Sequence, residues 1–122
     1  MEQKIKSFTD LIAWKEAHKL VVLIYRVTEQ FPKSEMFSLT DQMRRCGVSI
    51  SSNIAEGFSR YGKKEKIQFY YISKGSLTEL QNQLLIARDV GHLDKEIFNK
   101  MADQTVQVSR LIVGLIKSIK SF

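Results

Sequence analysis

Arg60, Lys63, Lys64 and Lys66 form the densest positive run in this chain, opposed within it only by Glu65, and Arg44 with Arg45 makes a second basic pair upstream. Cationic side chains at this density neutralise phosphates and release the counterions condensed on a nucleic-acid backbone. The two groups therefore point to an RNA or DNA contact with weak sequence preference. Tyr61 lies inside the run and offers a ring for base stacking. A solvated helix end accounts for the same charges without any partner, so charge alone leaves both readings open.

A second constellation is polar without being basic. Ser49, Asn53 and Glu56 recur at steps of four and three, beside an apolar row of Met43, Cys46, Ile50, Ile54 and Gly57 at the same spacing. Both rows belong to one α-helix, with the polar row at the margin of the buried stripe. A carboxylate there must reach water or find donors, because burying it unpaired is costly. We read Ser49, Asn53 and Glu56 as a structural row tying this helix to a neighbour or to another subunit, with a binding site at Asn53 and Glu56 as the alternative.

Other chemistries lack their residues. Cys46 is the only cysteine, which excludes an intrachain disulfide. Arg44 and Arg45 nearby favour a thiolate and burial opposes it; inert packing is the expectation. The histidines are His18 and His92, and no glutamate has a histidine three residues later, as inward-facing di-iron ligands require. Glu16 and His18 are two apart and face different sides of a helix. The stretch from Gly57 to Gly62 does not complete the Gly-x-x-x-x-Gly-Lys-Ser/Thr pattern of a phosphate loop, and it follows a helix instead of a strand. No catalytic residue, no metal ligand and no cofactor is expected, and the chain reads as non-enzymatic.

The elements that position these residues are helical. Helices are expected over about 10–30, 40–60, 63–90 and 94–118, in one domain spanning 1–122. The first starts at a Thr9 or Asp10 cap and stops before Pro32; Ser38 or Thr40 caps the second and Gly62 the third. Gly91 ends the third and Asp94 caps the fourth. Tyr70, Ser73, Leu77, Leu80, Leu84 and Ala87 form a heptad-like seam, answered by Phe98, Met101, Thr105, Val108, Ile112, Leu115 and Ile119. The fold class implied is all-α, an up-down-up-down antiparallel four-helix bundle. Phe69, Tyr70, Tyr71 and Ile72 are consecutive and point all round the third helix, more than one small bundle covers. A closed homo-oligomer follows as the expectation.

The 122 residues include 19 Lys and Arg against 13 Asp and Glu, a net charge of +6 that suits an anionic partner. The longest apolar runs, Leu20 to Tyr25 and Leu111 to Ile116, are far too short to span a bilayer, and the first residues carry no apolar leader. A soluble, cytoplasmic protein with no membrane partner is expected.

Taken together, Arg44-Arg45, Ser49-Ile50, Asn53 to Gly57, Arg60, Lys63 to Glu65, Phe69, Gly75 to Leu77, Glu79-Leu80, Leu84, Ala87-Arg88 and Gly91 resemble the pattern of the 23S rRNA intervening-sequence proteins. Asp10-Leu11, Trp14, Phe31-Pro32 and Gln42-Met43 fit it too, so the resemblance covers about residues 8 to 93. Such proteins are encoded in bacterial genomes, and many have no assigned activity. The resemblance implies a homopentameric, barrel-like ring. A related branch, the accessory protein of diversity-generating retroelements, implies a basic surface and two partners, nucleic acid and a nucleic-acid-processing protein. The chain departs from the family pattern at Cys46, Ser51 and Ser73-Lys74, where alanine, proline and an alanine-arginine pair are expected.

Overall fold

Reversals of chain direction are set by capping groups, and these fix where the helices begin and end. In a computed structural model describing residues 4–120, the α-helices are α1 (Ile12–Thr28), α2 (Leu39–Ser59), α3 (Lys63–Asp89) and α4 (Lys95–Lys120). Short 3-10 turns occupy Phe8–Asp10 and Lys33–Glu35, and the described residues contain no strand. α1 starts later than the expected Thr9 or Asp10 cap. Ser7 takes that role for the first 3-10 turn, its hydroxyl accepting from Thr9 N–H at 3.0 Å while Asp10 accepts from Ser7 N–H at 3.1 Å. Leu11 is then extended and breaks the turn from α1. Ser38 stands at the N-cap of α2 without capping it, because its hydroxyl turns back to donate to Glu35.

The other ends follow the residue chemistry. Gly91 takes φ +86°, His92 N–H reaches the Ala87 carbonyl at 2.8 Å and Gly91 N–H the Arg88 carbonyl at 3.1 Å. This is the paired closure by which a glycine in the left-handed region ends a helix. Asp94 accepts from Ile97 N–H at 2.8 Å and opens α4.

Each helix packs on the next in sequence, and α4 packs back on α1, so the four surround one core. Neighbours are antiparallel: Arg44 meets Thr28 across α1 and α2, Ser49 meets Ser76 across α2 and α3, and Gln81 meets Thr105 across α3 and α4. The expected stripe of Met43, Cys46, Ile50, Ile54 and Gly57 is buried, as is the whole seam from Tyr70 to Ala87. On α4 the row holds through Met101, Thr105, Val108 and Ile112, and then Ile116 takes the core position while Leu115 and Ile119 are half-buried. Of the consecutive group on α3, Tyr70 is buried and Phe69 half-buried, while Tyr71 and Ile72 stay exposed.

α2 and α3 approach closely because small residues line their contact. A Cβ on Gly57 would stand 2.6 Å from Tyr70 Cε1, which no real side chain tolerates without movement. Ser73 is fully buried and donates its hydroxyl to the Ile50 carbonyl at 2.7 Å. Gly47 faces the other way, its missing Cβ leaving room for Ile24 of α1. This topology places the α2–α3 turn, the start of α1 and the end of α4 together, hereafter the terminal end. The α1–α2 and α3–α4 connections form the opposite, loop end.

Candidate nucleic-acid interface

The antiparallel arrangement divides the basic residues singled out in the sequence. Arg44 and Arg45 lie near the loop end, Arg60 to Lys66 at the terminal end, about 24 Å apart along α2. No single patch holds all six.

Arg44 works inside the fold. Its Nε donates to Thr28 Oγ1 at 3.0 Å, Nη2 reaches the Tyr25 carbonyl at 3.4 Å, and the guanidinium stands 4.7 Å over the Tyr25 ring. The positive charge sits beside the last turn of α1, at the Tyr25 carbonyl, where the helix dipole favours it. Arg45 is paired with Asp41 one turn earlier, at 3.1 Å.

At the terminal end, Lys66 donates to the Phe58 carbonyl at 2.7 Å and the Gly57 carbonyl at 3.3 Å, closing the C-terminus of α2. Partial burial there holds its ammonium below the usual lysine range. Arg60 pairs with Glu56 at 3.2 Å and lies 4.8 Å over the Phe69 ring, leaving much of its side chain exposed. Lys63, Lys64 and Tyr61 are exposed.

The structure adds residues that the linear reading did not connect with this site. α4 ends beside the start of α3, so Lys117 and Lys120 join the terminal end, with Lys120 Nζ donating to Tyr71 Oη at 3.0 Å. That ammonium holds the Tyr71 phenol below its usual range. Topology was the available signal: antiparallel packing must bring the end of α4 to the start of α3. Counting connections and the outer two turns of each helix, the terminal end carries nine lysines and arginines against four carboxylates, and the loop end seven against six, among the described residues. The net charge of the chain is concentrated at one end.

The polar row divides as well. Ser49 Oγ meets Ser76 Oγ at 2.9 Å, linking α2 to α3. Asn53 turns back within α2 and donates to the Ser49 carbonyl at 2.8 Å, and Glu56 faces solvent with Arg60. Cys46 sits against the Ser76 carbonyl at 3.0 Å, and burial, reinforced by the Glu79 carboxylate, pushes its thiol up to about 12. At neutral pH it is protonated and unreactive. His18 stacks on Trp14 at 4.8 Å, and His92 Nε2 lies 2.8 Å from Glu35 Oε2. Among the described residues no three His, Cys, Asp or Glu side chains gather to hold a metal, and no helix is long and apolar enough to cross a membrane.

The model of the 23S rRNA-intervening sequence proteins matches residues 9–114. The chain belongs to that family. The match takes in the α2–α3 turn and stops before Lys117 and Lys120. A solved structure from Bacteroides thetaiotaomicron, described as a protein with unknown function from the S23 ribosomal protein family, is similar with a TM-score of 0.81. It is 18% identical, and the alignment covers 87% of this chain and 99% of that one, which shows a shared fold. No curated protein matches the chain. Neither the family description nor the solved neighbour names an enzymatic activity.

Proposed function

We propose that this family member is a non-enzymatic, self-associating bundle that binds RNA or DNA through its terminal end. The observation that supports this most is the charge imbalance between the two ends. Seven cations face six carboxylates at the loop end, where Arg44 and Arg45 also have protein partners, whereas nine face four at the terminal end. Lys63 and Lys64 with Arg60, Lys117 and Lys120 supply the phosphate contacts. Lys66 shapes the turn more than it touches a ligand, since its ammonium is engaged by the α2 carbonyls.

Self-association is supported by apolar surface left outside the core. Tyr71 and Ile72 are 47% and 46% exposed, and Leu85 and Val106 flank a cleft between α3 and α4 floored by Leu84 and Thr105. The family resemblance makes a pentameric ring the expected form. Repeating one modest basic patch round a ring raises avidity without new contacts. In this reading the protein works in the bacterial cytoplasm.

Binding isotherms at several salt concentrations test the proposal. A steep loss of affinity with added salt is expected; no binding even at low salt contradicts it. The alternative, an adaptor whose partner is another protein, draws on the same apolar cleft. It requires a complex that is insensitive to charge changes at the terminal end.

A further inference from the structure

We infer that the terminal end selects unpaired nucleotides over duplex, with Tyr61 as the platform on which a base stacks. The inference rests on the nucleic-acid reading above and adds to it a ring and a strand preference. Tyr61 occupies the connection between α2 and α3, and the chain passes through extended backbone on either side, at Arg60 (φ −81°, ψ 150°) and Gly62 (φ −76°, ψ 138°). The ring thus stands at the apex of the turn instead of on a helix face, with a relative exposure of 102%.

Other aromatic rings at this end have occupants. Phe58 lies under Lys66, Phe69 under Arg60 and Tyr71 under Lys120, at 5.4, 4.8 and 5.3 Å, and Tyr70 is in the core. Those pairs hold cations in place around the turn. Tyr61 instead offers its faces to solvent among Arg60, Lys63 and Lys64.

The surroundings decide what the ring meets. A symmetric contact between two copies at this end would set nine cations with four carboxylates against the same set, so like charges oppose it. An anionic partner fits. An acidic peptide uses the cations and leaves the ring in water, whereas a nucleotide uses both, phosphate on the ammonium groups and base on the ring. In a duplex the base faces are already covered by their neighbours. Only unpaired residues present one.

The test is fluorescence anisotropy with labelled oligouridine RNA and an RNA duplex of equal length, using the wild type, Tyr61→Ala, Tyr61→Phe and a Lys63→Ala/Lys64→Ala double variant. Tyr61→Ala is expected to weaken single-strand binding about tenfold and duplex binding less than about twofold, with Tyr61→Phe near wild type. Its salt dependence should match the wild type, because stacking releases no counterions, whereas the double lysine variant should show a shallower dependence. Single-strand affinity unchanged in Tyr61→Ala, or an equal loss on both probes, overturns the inference and leaves the nucleic-acid reading standing. A changed oligomer mass for Tyr61→Ala by light scattering overturns it in favour of a protein contact. If the wild type binds neither probe at low salt, the nucleic-acid reading fails and the inference with it.

Discussion

The two ends of the bundle balance the same kinds of side chain differently. At the loop end, charge is matched: Arg44 clamps α1 to α2, Arg45 meets Asp41, and Arg88 pairs with Asp89 at 2.8 Å while lying over Phe98. His92 and Glu35 join the two connections there at 2.8 Å. At the terminal end the carboxylates run out before the cations do. The excess of cations over carboxylates at that end, and not the pairing of any one residue, is what leaves potential for an anionic partner.

The largest effect that bears on this contrast concerns how the terminal end is built. Gly57→Ala forces a Cβ to 2.6 Å from the buried Tyr70 ring, and should lower stability by about 1–3 kcal/mol in denaturant melts. Gly47→Ala should cost less. Its new methyl meets Ile24 Cδ1 at 2.7 Å, the mobile tip of a side chain, and alanine regains roughly 1 kcal/mol of helix propensity. Equal losses would mean that the α2–α3 contact is no tighter than the α1–α2 one.

Arg44→Ala comes next. Removing hydrogen bonds from a guanidinium to Thr28 and Tyr25 should lower stability by about 1–2 kcal/mol while leaving the salt dependence of RNA binding as it was. A shallower salt dependence would make Arg44 a phosphate contact after all. The converse holds for Lys63→Ala with Lys64→Ala: little change in melting, and a log–log salt slope reduced by about 1.4 to 1.8 for two phosphates. The same measurement on Arg45→Ala should show no change.

The smallest effect is in the pH dependence of the loop end. The Ser38 hydroxyl, and then His92, hold the Glu35 carboxyl below its ordinary range. A carboxylate lowered in the folded state stabilises fully above its unfolded value near 4.5, and that stabilisation is lost as pH falls through the folded value. Glu35→Gln should therefore melt below wild type at neutral pH, with the gap closing in acid. A gap that persists undiminished in acid would show that the pair contributes through packing and not through charge.

Much of the fold was legible because helix periodicity and capping are local. The stripe from Met43 to Gly57, the seam from Tyr70 to Ala87, the Gly91 closure and the Asp94 cap could each be read from a few neighbouring residues. Where two local partners competed, the reading slipped: Ser38 donates to Glu35 instead of capping α2, and Ser7 rather than Thr9 or Asp10 opens the first turn. Ile116 displaces Leu115 from the core by a shift of one position that spacing alone does not fix. The candidate site was half legible. Lys63 and Lys64 stand out in the chain, but the engagement of Arg44 and Lys66 depends on carbonyls from helix ends that meet them only in three dimensions. Lys117 and Lys120 lie more than fifty residues from the α2–α3 turn, and only helix packing brings them to it.

The most direct test of the contrast between ends is a matched charge reversal, Lys64→Glu with Lys117→Glu against Arg45→Glu with Lys95→Glu, each followed by RNA binding at one low salt concentration. The account predicts that the first pair abolishes most binding and that the second leaves it within about twofold, with both variants folded by circular dichroism. Equal losses from the two pairs, or a larger loss from the second, would contradict it.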